Sequence, residues 1–383
     1  MTASALTRPG ERDRLPVKIG QIDWRFAALL CLVGGMGGAM MYSVAGGSWE
    51  PWAFNHVVRF GFCLLLMLGL SLVPLRWWFA ASYPLYAVAL LLLVAVEVAG
   101  DTRMGATRWL EIGPISFQPS EIMKIGVVLA LARYYHGASA KDARFSWKLI
   151  YPVGIIAAPF LLVAHQPDLG TAMLIGLTGA AMMFIAGLDW KVIAAVAIPA
   201  LVAIPGYVMF GMHGYQRDRV LTFLSPESDP SGTGYHITQS KIALGSGGLL
   251  GKGYGLGSQS QLEFLPEKQT DFVFAAVSEE FGFVGSFSII LCYLAIILIA
   301  FRIASLSHSH FGRMGAAGVT CTFALYVLIN AAMVMGLAPV VGVPMPLLSY
   351  GGTVMLTVMI GFGLVMATRV HRYTELPKGH GLI

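Results

Sequence analysis

Apolar runs of about twenty residues, separated by polar turns, recur along most of the chain. A helix needs roughly 20 mostly apolar residues to cross a bilayer. Ten segments approach that length: 26–46, 57–75, 77–99, 119–136, 149–165, 170–188, 190–211, 272–301, 312–337 and 348–368. Glu121 and Lys124 interrupt the fourth, and the eighth carries Glu279 and Glu280 within a long apolar stretch. The pattern predicts an all-α polytopic membrane protein with about ten transmembrane helices, and an even count puts both termini on one side. Residues 1–25 form a polar arm, 26–368 a single membrane domain and 369–383 a tail. The first apolar run follows a polar arm and precedes further runs, so no cleavable signal peptide is expected.

Lysine and arginine set the side, because loops rich in them stay cytoplasmic. With the N-terminus inside, sixteen of the 25 fall in cytoplasmic segments, among them Arg8, Arg12, Arg14, Arg25, Arg76, Lys141, Arg144, Lys148, Arg302, Arg369 and Arg372. Both termini are therefore expected in the cytoplasm. The longest polar stretch, residues 212–270, becomes a large extracytoplasmic loop between the seventh and eighth helices. Its glycine-rich run, GSGGLLGKGYGLGSQSQ, lacks the order of a nucleotide P-loop. At roughly 60 residues the loop exceeds the length at which structureless connections are common, and Tyr235, Tyr254, Phe264 and Leu265 argue for order.

Composition agrees: 56% of the 383 residues are hydrophobic and 12% charged, far from a soluble domain. The net charge of +5 does not point to nucleic acid, since the basic residues lie between apolar runs rather than on one wetted surface. Cys31, Cys63, Cys292 and Cys321 each sit inside an apolar run without metal-ligand spacing, which suits packing.

Asp271, in QTDFVF, opens the eighth helix at the outer interface, where it is either an N-terminal cap or a carboxylate held for chemistry. Glu121 and Lys124, at i and i+3, share a helix face and either pair structurally or line a polar cavity. Arg108, Trp109, Gln118 and Ser120 lie just before them and offer donors and an aromatic surface for sugars and phosphates, or an interfacial belt. Arg217, Arg219, His236, Gln239, Ser240 and Lys241 in the long loop suit a pyrophosphate head group, as do Lys252 and Lys268. For any single lysine, attraction to an anionic lipid surface is the simpler reading. Glu279 and Glu280 point about 100° apart, so at most one shares the Asp271 direction; they are candidate cavity-lining or helix-packing groups. His165 and Asp168 read as a turn before the sixth helix.

The strings DPSGTGYHITQSKIALGSGGLLGKG, SQSQLEFLPEKQTDFVFAAVSEEFG and PVVGVPMPLLSYGG, with GATRWL and QPSEIMK upstream, resemble the signature of the shape, elongation, division and sporulation (SEDS) family. The resemblance covers nearly the whole chain, and LEFLPE and VVGVPMPLLSYGG are closer to the elongation branch than to the division branch. Gln269 departs from it, standing where many relatives have histidine before T-D-F. The resemblance implies a peptidoglycan glycosyltransferase of the bacterial cytoplasmic (inner) membrane. Such an enzyme joins lipid II units carried on undecaprenyl pyrophosphate, at the outer face. It also implies a class B penicillin-binding protein as transpeptidase partner, other membrane proteins of the elongation complex, and Asp271 at the position of the family's proposed catalytic carboxylate. No cofactor is required by the sequence; a divalent cation such as Mg2+ would aid the departing pyrophosphate, but no dedicated ligand cluster is visible. A flippase or transporter for the lipid-linked precursor, the division-specific paralogue and a non-catalytic scaffold are the rival readings.

Overall fold

A computed structural model describes residues 15–377 except 100, 104–105, 113–114, 145, 196–197, 200–201, 203–205, 207–216, 218–220, 224, 226–231, 263 and 266. A short helix α1 (Leu15–Gln21) leads into α2 (Trp24–Val44), α3 (Ala53–Ser71) and α4 (Leu75–Ala99). Three short strands follow, β1 (Asp101–Arg103), β2 (Ala106–Ile112) and β3 (Ile115–Phe117). Then come α5 (Pro119–Gly137), α6 (Ala140–Arg144), α7 (Ile150–His165) and α8 (Leu169–Ile185). The remainder holds α9 (Thr233–Ser246), α10 (Ser258–Gln261), α11 (Val273–Ser305), α12 (His310–Val334) and α13 (Gly352–Val370).

Nine of the predicted apolar segments coincide with helices, whereas 190–211 falls mostly outside the described residues. Among the described residues, seven spans are long and apolar enough to cross a bilayer, so the chain is a polytopic membrane protein. Its outer helices turn apolar side chains outward, as Phe62 and Leu65 on α3, Leu91 and Val98 on α4, and Leu294 and Leu298 on α11 do. That is the polarity expected where the surroundings are lipid. The centre is different. In α5 every residue from Met123 to Ala132 is buried although the helix carries Glu121, Lys124 and Arg133, and α13 is nearly as enclosed.

One small sheet accompanies the helices. Strands β1 to β3 form an antiparallel meander, with Asp101 opposite Trp109 and Leu110 opposite Phe117. Runs of three and seven residues are too short for a hydropathy window tuned to membrane spans, and the Thr, Trp and Ile of β2 suit a strand.

The glycine-rich run is packed against a break in α11. Helix α11 breaks at Gly282, whose φ of 64° favours glycine. The break frees backbone groups that the run takes up. Lys252 N–H and Gly253 N–H donate to the carbonyls of Glu279 and Glu280, and Phe283 N–H and Val284 N–H donate to those of Gly248 and Leu249. At Gly251 (φ 83°) a side chain would collide with the Glu280 carbonyl, so the approach requires glycine. A buried break in a helix is costly unless its orphan groups find partners, and here the loop supplies them.

Candidate active site

Asp271 closes a turn in which Thr270 N–H and Phe272 N–H both donate to the Glu267 carbonyl, at 3.0 and 3.3 Å. Two longer-range contacts lock this turn against the segment between α12 and α13. Tyr350 N–H donates to the Gln269 carbonyl at 2.7 Å. The buried amide of Asn330 on α12 donates to the Asp271 carbonyl at 2.9 Å and to that of Val343 at 2.7 Å. The half-buried Asp271 carboxylate faces Gly342: a β-carbon there would stand 3.6 Å from Oδ2, and the backbone at Gly342 has φ 68°. The turn thus presents the carboxylate to the main chain at Gly342, in the segment between α12 and α13.

Helix α9 lies beside it. His236 stacks on Phe272 with ring centroids 6.0 Å apart, and Ser240 donates to the Val334 carbonyl at 2.8 Å. Gln239 is half-buried on the same helix. Tyr254, further along the glycine-rich run, donates to the Ala39 carbonyl at 2.7 Å, and burial followed by the charge of Glu280 raises its phenol pKa.

One turn before Asn330 on α12, Tyr326 meets the second charged group. Glu121 and Lys124 form an ion pair at 2.7 Å with both side chains almost wholly buried. Tyr326 donates to Glu121 Oε2 at 3.0 Å, and Lys124 both bonds its hydroxyl and lies over its ring, 4.5 Å from the centroid. A ligand anion reaching Lys124 must therefore compete with Glu121. Just before α5, Gln118 donates to Asp168 at 3.2 Å; Asp168 also accepts the Thr171 N–H at 3.3 Å as the cap of α8. Gly170 packs against the Val341 carbonyl. The first turns of α5, α8 and α11 are thereby gathered around one loop, each contributing the positive end of a helix dipole.

Glu279 and Glu280, 0% and 1% exposed, serve elsewhere. Glu279 accepts from Lys252 (2.6 Å), Ser258 (3.0 Å) and Gln259 N–H (3.0 Å); Glu280 accepts from Ser43 (2.5 Å) and Gly255 N–H (3.2 Å). Of the two expectations, cavity-lining or helix-packing, these contacts favour a structural role for both residues, as anchors of the loop. Trp109 is half-buried in β2, where the Arg108 side chain lies outside the described residues, as does Arg219. Arg217 is half-buried, with its Nε lacking a hydrogen-bond partner. His165, read as a turn residue, pairs with Glu97 at 3.1 Å.

Asn330, Tyr326, Gly342 and the Gln118–Asp168 bond are the supports that sequence reading missed, together with Arg59, which lies over the Tyr350 ring at 4.9 Å. A lone asparagine in the apolar α12 was a usable signal, because polar groups within spans are costly and seldom idle. Among the described residues no group of three or more His, Cys, Asp or Glu side chains is placed to hold a metal.

The FTSW_RODA_SPOVE family, described as cell cycle protein, matches residues 25–374. The peptidoglycan glycosyltransferase MrdB of Escherichia coli K12 is 45% identical over 313 residues, 81% of this chain and 83% of that protein. Stage V sporulation protein E of Bacillus subtilis is 33% identical over 347 residues, 88% and 93% of the two chains. Among solved structures, a chain of a peptidoglycan synthase complex, studied for its coordination of polymerization and crosslinking, superposes with a TM-score of 0.80 at 30% identity. That match covers 92% of this chain and 98% of the other. The rod shape determining protein RodA of Thermus thermophilus gives 0.70 at 27%, with the same coverage. The chain belongs to the FtsW/RodA/SpoVE family, the SEDS family its motifs resemble.

Proposed function

We infer that this chain is a RodA-like peptidoglycan glycosyltransferase that polymerises lipid II during cell elongation. In this reading it crosses the inner membrane ten times with both termini in the cytoplasm, and Asp271 and the loop 212–270 face outward. The lysine and arginine distribution supports that orientation. The observation that carries the mechanism is the fixed, half-buried carboxylate of Asp271 opposite Gly342, in a chain 45% identical to MrdB.

The acceptor sugar's 4-hydroxyl attacks the anomeric carbon of the donor. The new C–O bond forms as the bond to lipid pyrophosphate breaks, the electron pair leaves with the pyrophosphate, and Asp271 accepts the hydroxyl proton. A positioned base of this kind contributes about 10²- to 10⁴-fold. A single displacement inverts the anomeric centre, and the pyrophosphate leaves without needing a second carboxylate as acid. Positive groups stabilise it: Arg108, Arg217 and Arg219, Lys124 if Glu121 yields it, and the helix N-termini around residues 336–351. Trp109, His236 and Gln239 supply sugar-facing surface, while Ser240 secures α9. The partner is a class B penicillin-binding protein, a reading supported by the likeness to a synthase complex that coordinates polymerization and crosslinking. Incubating purified protein and transpeptidase with labelled lipid II tests the proposal. Glycan chains are expected from the native pair and none from the Asp271→Asn pair, and translocation of precursor without polymer would overturn it.

A further inference from the structure

At the end of α11 remote in sequence from Asp271, beyond the break at Gly282, the start of α2 and the ends of α11 and α13 enclose a crevice. Its volume is about 870 Å³ including the open mouth, and its lining includes Trp24, Arg25, Ile299, Arg302, Ile303 and Arg369. Asp23 is the crevice's acid, and its carboxylate already caps α2 by accepting the Phe26 N–H at 3.4 Å. None of the three guanidinium groups has a hydrogen-bond or ion-pair partner among the described residues. Three arginines from three helices around one acid, Arg25 and Arg302 exposed and Arg369 half-buried, leave two uncompensated positive charges at the crevice's open mouth. Like charges gathered at one mouth attract an anion that sits between them, and a guanidinium is shaped for a phosphate.

The rim says where that phosphate comes from. Trp24 is 53% exposed, Leu306 is exposed beside Arg302, and α1 exposes Leu15 and Ile19 as it approaches α2. Below the mouth, α11 turns Leu294 and Leu298 outward. An exposed tryptophan above an apolar helix surface is the pattern of a membrane interface, so a headgroup in the crevice would have its acyl chains along α11. We propose that this crevice binds the phosphate of an anionic phospholipid, such as phosphatidylglycerol, whose chains lie against α11. The site is independent of the glycosyltransferase reading and rests only on the chain's lying in a bilayer; in the orientation given above it faces the cytoplasmic leaflet.

Native mass spectrometry of the full chain in detergent, titrated with phosphatidylglycerol or phosphatidylcholine, tests it. The native protein retains phosphatidylglycerol preferentially. A variant combining Arg25→Gln, Arg302→Gln and Arg369→Gln binds it at least about ten-fold more weakly, given roughly 1 kcal/mol per basic residue near a membrane surface. The charge-preserving Arg→Lys version at the same three positions keeps most of the affinity, which guards against a folding defect. A matched variant, Lys141→Gln with Arg144→Gln and Lys148→Gln, removes as much charge from exposed positions outside the crevice. An equal loss in that variant overturns the proposal by reducing it to general surface attraction. Undiminished binding in the crevice variant overturns it as well, and displacement of the lipid by millimolar inorganic phosphate overturns the lipid source in favour of a free anion.

Discussion

Two sets of carboxylates lie within ten residues of each other at the start of α11, and they are held in opposite ways. At Asp271 the long-range anchors grip the backbone: Asn330 holds its carbonyl, and the side chain is presented, half-buried, to Gly342. At Glu279 and Glu280 the carboxylates are themselves the anchors, fully buried and bound to hydroxyl, ammonium and backbone N–H groups of the glycine-rich run and α2. Position along a helix therefore does not decide how an acid is held: the contacts described grip the main chain at Asp271 and the carboxylates at Glu279 and Glu280. On the function proposed above, removing Asp271 is expected to cost chemistry more than stability, and removing Glu279 or Glu280 stability more than chemistry.

The sharpest way to break the contrast is Asp271→Asn. The amide preserves shape and the Asn330 bond, so thermal unfolding should stay within about a degree of native while polymerisation of lipid II falls about a thousand-fold. Native activity in this variant would remove Asp271 from the reaction. Glu279→Ala should do the reverse. It strands Lys252, Ser258 and the Gln259 N–H around a vacated buried site, a loss of about 3 kcal/mol. That loss is measurable as a lowered melting temperature, with specific activity of the surviving folded fraction near native. A melting temperature equal to native would mean the loop does not depend on this carboxylate.

Between these extremes lies Gly342→Ala. The residue's φ of 68° costs an alanine about 1 kcal/mol, and the new methyl would sit 3.6 Å from Asp271 Oδ2. Stability should drop slightly and polymerisation by about ten-fold, because relaxing the strained backbone would shift the main chain that Asp271 faces, and a small misplacement beside the proposed reacting groups is expensive. A stability loss with unchanged turnover would show that the carboxylate's facing partner is irrelevant.

These contrasts also mark what the sequence made legible. The helices of the bundle could be read because a membrane span declares itself by length and hydropathy, and Asp271 could be placed because it opens such a span. The centrality of α5 could not, because Glu121, Lys124 and Arg133 make it the least span-like of the segments; beyond the Glu121–Lys124 pair, its charges find partners far along the chain, Tyr326 205 residues from Glu121 and the Phe79 carbonyl 54 residues from Arg133. The roles of Glu279 and Glu280 were hidden for the same reason: Ser43 lies 237 residues from Glu280. The glycine-rich run was ambiguous because glycine permits close backbone approach without saying what approaches. Only the break at Gly282, which leaves carbonyl and N–H groups in need of partners, gives the run its meaning.

The smallest effect is expected at the group that belongs to neither class. Glu121 and Lys124 are as buried as Glu279, but they bind each other and Tyr326 through side chains alone. Tyr326→Phe keeps the ring beside Lys124 and deletes only the hydroxyl, so the ion pair persists and the stability loss should be about 1 kcal/mol. If the pair is purely structural, polymerisation by the folded protein stays at its native rate. If Lys124 leaves Glu121 for the pyrophosphate as substrate enters, removing a hydroxyl that tethers both partners loosens that exchange, and KM for lipid II changes while kcat holds. The expected outcome is the second, a change of about two- to five-fold in KM, because the first turns of α5 and α8 join the Asp271 loop through Gln118, Asp168 and Gly170. An unchanged KM beside a lowered melting temperature would class Glu121 and Lys124 with Glu279 and Glu280, as charge kept for the sake of the fold.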